Sequence, residues 1–303
     1  VQLQTPEGKF HLLTEAEYTQ VSAGTGSTMP ALEASPEERR DLIAWLSRRN
    51  GVVAGVTAAP AADPADFEAI LNPRPGDWPT YYGNLSGNRY STLDQINQSN
   101  VSRLQPQWIF PLPYQPLETT PLVADGVMYV TGPNLVVALD ARSGREIWRY
   151  ARPRNAAGTI SGDAAIGANR GTALSGDRIF FTTDNSHMIC LHRITGALLW
   201  DVAMPETPNK EYGATSAPLV VNDLVLSGVG GGDGGIRGFV AAYKITTGEL
   251  AWRFWTVPKP GETGSETWQG EAIHVGGGAT WLTGTYDAET GLVYWPTGNP
   301  FPD

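Results

Sequence analysis

Residues 136–150 read VVALDARSGREIWRY, residues 188–202 read MICLHRITGALLWDV, and residues 239–255 read FVAAYKITTGELAWRFW. Each stretch combines an apolar run, a turn that ends in glycine, and a tryptophan four residues after that glycine. The turn glycines lie 52 residues apart, at Gly144, Gly196 and Gly248. A repeat of this length is typical of solenoids, propellers and tandem arrays.

Each repeat has the composition of β-strands. Residues 127–131, 178–183 and 219–227 are rich in Val, Ile, Tyr, Phe and Thr, are broken by Gly, Asn and Asp, and lack helical periodicity. We therefore predict an all-β fold, a partial β-propeller that begins near residue 76. In an alignment of the repeats, Cys190 is equivalent to Ala138 and Ala242. This equivalence predicts a small buried residue at the position and no thiol chemistry.

Composition limits the classes of partner. The chain of 303 residues carries 31 acidic and 21 basic side chains, a formal net charge of −10. This balance argues against binding of nucleic-acid phosphates. No stretch reaches the roughly 20 apolar residues of a transmembrane segment.

The first fifty residues differ from the repeats. Ser35 and the Pro-Glu-Glu that follows predict the start of an amphipathic helix, and Met29 precedes it in a Gly/Ser-rich loop. This arrangement resembles the C-terminal part of a class I cytochrome c, in which the loop Met is an axial haem ligand. Residues 1–50 are thus expected to be a small α-helical cytochrome c-like remnant, with Met29 as haem ligand, although the Cys-x-x-Cys-His haem attachment motif is absent. Residues 51–75, rich in Ala and Pro, are interpreted as a linker.

From residue 76 onward the sequence resembles the PQQ-dependent quinoprotein alcohol dehydrogenases, of the quinohaemoprotein type. The motifs that carry this resemblance are Gly76-Asp77-Trp78, Asn88-Arg89-Tyr90-Ser91, Glu118-Thr119-Thr120-Pro121-Leu122, Asn169-Arg170-Gly171 and Gly298-Asn299-Pro300. The resemblance implies that residues 76–303 form the N-terminal part of an eight-bladed propeller with pyrroloquinoline quinone (PQQ) at its centre.

The resemblance also implies roles for individual residues. Trp281 matches the indole that stacks beneath the PQQ ring. The other expected cofactor contacts are Glu118, Arg170, Thr215, Gly231 and Gly232. Asp233 and Asn299 match the carboxylate and amide ligands of the metal ion, which is Ca2+ or a lanthanide. Such a site combines an aromatic floor, cationic and hydroxyl donors and oxygen ligands, as a flat tricarboxylated quinone requires.

Several positions depart from the family pattern. Ala164 and Ala165 stand where many members have two adjacent cysteines joined by a disulfide above the cofactor, so the roof of the site must be built differently. Gly230 and Ala279 replace residues that donate hydrogen bonds, and Asp233 is one methylene shorter than the usual glutamate. Weaker PQQ binding is the expected consequence.

The resemblance implies oxidation of a small alcohol in the periplasm, with electrons passed through a c-type haem to an acceptor. The catalytic base is expected beyond Asp303, together with the remaining blades, so the isolated chain is expected to be inactive. A sugar or polyol dehydrogenase is the alternative within the class. A non-catalytic propeller that binds protein partners is the alternative outside it.

Overall fold

The computed structural model describes Gln2–Gln4, Phe10–Leu12, Ser35 and residues 64–112, 117–155, 162–206 and 211–301. The chain divides into two compact units, Val1–Trp45 and Leu46–Asp303. In the first unit, Gln2–Gln4 and Phe10–Leu12 pair as antiparallel strands. The helix predicted after Ser35 and the expected haem ligand Met29 lie outside the described residues.

The second unit contains three consecutive four-stranded antiparallel sheets, here called blades 1 to 3. Blade 1 consists of Leu122–Ala124, Val127–Gly132, Leu135–Asp140 and Glu146–Ala151. Blade 2 consists of Ala173–Ser175, Arg178–Thr182, His187–His192 and Leu198–Ala203. Blade 3 consists of Leu219–Val221, Leu224–Gly228, Phe239–Lys244 and Leu250–Trp255. In each blade the strands pair in chain order, which confirms the predicted propeller architecture.

The first two strands of every blade are joined by a two-residue turn. The apolar run of residues 219–227 therefore forms two strands, which are separated at Asn222 and Asp223. Asn222 has φ +53°, and Asp125 of blade 1 has φ +54°. Turns of two residues between antiparallel strands require positive φ, which Asn and Asp tolerate better than other side chains.

Each of the three blades receives a tryptophan from the segment that precedes it. Trp148 of blade 1 donates from Nε1 to the Arg193 carbonyl of blade 2 at 3.0 Å. Its ring covers Gly196, where a Cβ would lie 2.6 Å from the ring. The same pair of contacts joins Trp200 to the Ile245 carbonyl and to Gly248, and Trp108 to the Ala141 carbonyl and to Gly144. The sequence repeat therefore reflects a contact between blades, and only glycine leaves room for the indole.

Cys190 confirms the repeat alignment. Its side chain is fully buried, as are those of Ala138 and Ala242, and each of the three pairs with the tryptophan of the neighbouring strand. Burial raises the pKa of the Cys190 thiol. The residue packs as a small apolar side chain, as predicted.

The region interpreted as a linker differs from expectation in its last part. Pro64–Leu71 forms an α-helix, and Phe67 and Ile70 are buried in the core shared by blades 2 and 3. Phe67 also makes an edge-to-face contact with Tyr286. Because these apolar residues are three apart, they lie on one face of the helix and anchor it to the propeller.

The remaining elements are short. Thr285–Asp287 pairs with Leu292–Tyr294, and Gly276–Gly277 pairs with Pro300–Phe301. Short helical turns are formed by Val101–Arg103, Asp163–Ile166, Gly232–Gly234, Ser265–Thr267 and Ala272–Val275. Among the described residues, no helix is long and apolar enough to cross a bilayer.

Candidate functional site

The first strands of successive blades bring equivalent positions together. Arg170 precedes the first strand of blade 2, and its backbone N–H donates to the Thr215 carbonyl, which precedes the first strand of blade 3, at 2.9 Å. The Arg170 carbonyl accepts from the N–H of Thr120, before blade 1, at 3.0 Å. The Thr215 hydroxyl donates to the Trp281 carbonyl at 3.2 Å. Residues far apart in the sequence therefore form one continuous hydrogen-bonded arc.

Arg170 is the charged residue of this arc, and its side chain is largely buried. Its side chain is 8% exposed, and Nη2 lies 2.6 Å from Oε2 of Glu118. The guanidinium carbon lies 4.8 Å from the ring centroid of Trp281, a cation–π distance. Nη1 is buried and has no hydrogen-bond partner among the described residues. The structure thus brings Glu118, Arg170 and Trp281 together and leaves one donor of the guanidinium unpaired among the described residues.

A cavity of about 230 Å³ opens beside this group. Six of the residues predicted to contact cofactor or metal line it: Thr215, Gly231, Gly232, Asp233, Trp281 and Asn299. Trp281 is 37% exposed, which is high for an indole surrounded by buried blade residues. The cavity therefore has an aromatic wall, a hydroxyl, a carboxylate and an amide.

The glycines of the cavity wall contribute backbone rather than side chains. Gly231 has φ +99°, and the N–H groups of Gly231 and Gly232 donate no hydrogen bond within the part of the chain that the structure describes. A Cβ on Gly232 would lie 3.0 Å from the Cβ of Ala279, which also lines the cavity, so a side chain here would be crowded. By contrast, the Gly230 N–H already donates to the Gly213 carbonyl at 2.6 Å. Gly231 and Gly232 thus offer backbone donors to a ligand in the cavity.

Asp233 and Asn299 are the oxygen donors expected for the metal ion. Both are exposed and line the same cavity. The Asn299 amide nitrogen donates to the Pro300 carbonyl at 2.9 Å, so the amide oxygen remains available. Carboxylate and amide oxygens suit Ca2+ and other hard cations. Within the described ranges, no group of three or more His, Cys, Asp and Glu residues forms a metal-binding cluster.

Two residues of the site were not predicted from the sequence. Asp163 lines the cavity, and its Oδ2 lies 3.7 Å from Nη2 of Arg170. Arg154 donates to the carbonyls of Ala164 and Ala165 above the cavity. The only sequence signal for Asp163 is its position directly before this alanine pair. The sequence contains no signal for Arg154, because the hydrogen-bond acceptors of its side chain at the roof are backbone carbonyls.

Comparison with known proteins identifies the class that this fold and site define. The family model described as "Glucose/ethanol/alcohol dehydrogenase, beta-propeller domain" and assigned to PQQ matches residues 78–303. The chain belongs to this family of PQQ-dependent quinoprotein alcohol dehydrogenases.

Among its relatives is the quinohemoprotein alcohol dehydrogenase ADH IIB of Pseudomonas putida, which is 40% identical over 75% of this chain and 34% of that protein. The lanthanide-dependent methanol dehydrogenase of Methylacidiphilum fumariolicum is 36% identical over 82% of this chain and 44% of its own length. The crystal structure of the Comamonas testosteroni quinohemoprotein alcohol dehydrogenase superposes with a TM-score of 0.71 at 32% identity, and the match covers 86% of this chain and 39% of that one. The chain thus spans less than half the length of these relatives.

Proposed function

We propose that the cavity beside Trp281 holds PQQ and that the full-length protein oxidises an alcohol. The observation that carries this proposal is the buried Nη1 of Arg170, which has no partner among the described residues. Leaving a buried charged donor unpaired is costly, and an oxygen of the cofactor would satisfy it. The residues present therefore fit a flat anionic quinone.

Each residue around the cavity would contribute in its own way. Trp281 would provide the flat apolar surface for the ring, held in place by the Thr215 hydroxyl at its carbonyl. Glu118 fixes the direction of the Arg170 guanidinium. Gly231 and Gly232 offer backbone N–H groups to carboxylate oxygens. PQQ, when bound, supplies the oxidant that accepts hydride from the alcohol carbon.

We further propose that Asp233 and Asn299 hold a cation next to the cofactor. The donor set favours Ca2+ or a lanthanide over softer metals, since both side chains offer oxygen. Such a cation would act as a Lewis acid and orient the substrate. The relative affinity of this site for Ca2+ and La3+ can be measured by loading the protein with each ion in parallel.

The remaining parts of the proposal concern the whole protein. We propose residues 1–50 as a cytochrome c-like remnant with Met29 as haem ligand, residues 51–75 as the connection to the propeller, c-type haem as the electron acceptor, and the periplasm as the location. Haem staining of the full-length protein and its distribution after osmotic shock test these points. An absence of covalent haem would contradict the quinohaemoprotein assignment.

Equilibrium dialysis with PQQ, in the presence of Ca2+ or La3+, tests the cofactor proposal directly. We expect saturable binding and alcohol-dependent reduction of a dye by the full-length protein. Arg170→Gln should weaken PQQ binding by about tenfold to a hundredfold, because it removes a charged hydrogen bond worth about 1.5–3 kcal/mol.

Arg237→Gln is the matched control for this variant. Arg237 also lies over a tryptophan, Trp255, at 4.3 Å, and pairs with a glutamate, Glu262, at 2.8 Å. Neither of these partners lines the cavity, whereas Arg170 contacts Trp281 and Asp163, which both do. Replacement of Arg237 should leave PQQ affinity unchanged. A wild-type protein that bound no PQQ would refute the proposal and favour a non-catalytic propeller. Equal losses in the two variants would refute the assignment of Arg170.

A further inference from the structure

The roof of the cavity is a short turn without a disulfide. Gly162, Asp163 and Ala164 line the cavity, and the helical turn Asp163–Ile166 ends at Gly167, which has φ +98°. We call residues 162–166 the roof segment. Its backbone bonds are few: the N–H groups of Ala165, Gly167 and Ala168 donate within the turn. A segment with so little internal structure needs an outside contact to keep its position.

Arg154 supplies that contact. Its Nη2 donates to the Ala164 carbonyl at 3.0 Å and to the Ala165 carbonyl at 2.7 Å. A planar guanidinium can reach two carbonyls and a carboxylate at once, which the ammonium of a lysine cannot do with the same geometry.

Arg154 is in turn held by Asp184 of blade 2. Its Nε lies 3.3 Å from Oδ2 of Asp184, whose side chain is 2% exposed. Oδ1 of Asp184 accepts from Nδ2 of Asn134 and Nδ2 of Asn155, both at 2.9 Å. The Asp184 N–H donates back to Oδ1 of Asn134 at 2.8 Å. The Asp184 carboxylate is therefore fixed within the blades, and Arg154 connects it to the backbone of the roof segment.

We propose that Arg154 is a positioning residue that holds the roof segment over the cofactor cavity by hydrogen bonds. The inference rests on the proposed function, because the cavity is taken to be the PQQ site. It implies that retention of PQQ depends on a residue that does not line the cavity. The Asp163 side chain, which faces Arg170 across 3.7 Å, would be misplaced when Arg154 is lost.

Hydrogen exchange and PQQ release test this inference together. In Arg154→Ala we expect the amides of Ala165, Gly167 and Ala168 to exchange about tenfold faster or more in the full-length protein without cofactor, because a charged hydrogen bond is lost. Bound PQQ, chased with excess unlabelled cofactor, should also leave about tenfold faster. Arg154→Lys should recover only part of both effects.

Arg152→Ala is the matched control. Arg152 lies two residues earlier and pairs with an aspartate, Asp201, at 2.7 Å, away from the roof segment. It should change neither exchange nor release. Unchanged exchange in Arg154→Ala, unchanged PQQ release despite faster exchange, or equal effects in Arg152→Ala would each overturn the inference. If the wild-type protein bound no PQQ, the proposed function would fail, whereas exchange would still decide whether Arg154 holds the roof segment.

Discussion

Replacing Gly196 with alanine tests the contact that joins the blades. Gly196 has φ +73°, a left-handed conformation that costs an L-residue about 1–2 kcal/mol. Its new Cβ would also lie 2.6 Å from Cε3 of Trp148, a residue that is 5% exposed and has little room to move. Overpacking of this kind costs about 1–3 kcal/mol. Gly196→Ala should therefore lower the free energy of unfolding by about 2–5 kcal/mol.

Gly126→Ala separates the backbone cost of positive φ from the cost of overpacking against the tryptophan. Gly126 has the same φ of +73°, but nothing lies within 4 Å of the position that an added Cβ would take, so only the backbone cost of about 1–2 kcal/mol applies. Urea unfolding of the full-length protein, followed by far-UV circular dichroism, measures both variants. In a Trp148→Ala background, Gly196→Ala should cost no more than Gly126→Ala. Equal costs of the two glycine variants in the wild-type background would refute the role of tryptophan packing.

Three further predictions concern charge, burial and metal. Burial alone would raise the pKa of Asp125, but hydrogen bonds and charge from Arg74 and Arg193 outweigh it and hold this pKa below its ordinary value. The stability that Asp125 contributes is therefore present above about pH 4 and is lost as the pH falls through the lowered pKa. Asp125→Asn should be less destabilising at about pH 2.5 than at pH 7, and an equal effect at both pH values would contradict this. Cys190 should react with iodoacetamide only after unfolding, since its thiol is buried, and rapid labelling of the folded protein would show that the packing is wrong. Asp233→Ala should abolish the effect of Ca2+ or La3+ on PQQ affinity in dialysis while cofactor binding without metal persists; a retained metal effect would exclude Asp233 as a ligand.

The propeller was predictable because its repeat encodes a contact. A turn glycine and a tryptophan recur at a fixed spacing, and the structure shows that the tryptophan of one repeat packs on the glycine of the next. The same local pattern is not sufficient by itself. Trp295 also follows a turn glycine, Gly291, by four residues, yet it packs on Gly284 and donates to the Thr280 carbonyl. Only the three-dimensional neighbours decide which glycine a tryptophan covers.

The candidate site was predictable where side-chain chemistry carries it. Arg170 and Trp281 have types and positions that match the family, and the structure places them in contact. The roof was not predictable, because Arg154 binds backbone carbonyls, and any residue can provide those. The helix Pro64–Leu71 was missed for a related reason: the alanines and prolines before it dominate the composition, whereas two apolar side chains decide its packing.

A high-resolution experimental structure of the full-length protein incubated with PQQ and Ca2+ or La3+ tests the central claim most directly. Our account predicts tricyclic density stacked on the indole of Trp281, with Nη1 of Arg170 within hydrogen-bond distance of a cofactor oxygen. It also predicts a cation bound by Asp233 and Asn299 at the edge of the ring. Density for PQQ at another place, or a cavity that contains only solvent when binding in solution is saturated, would contradict the account.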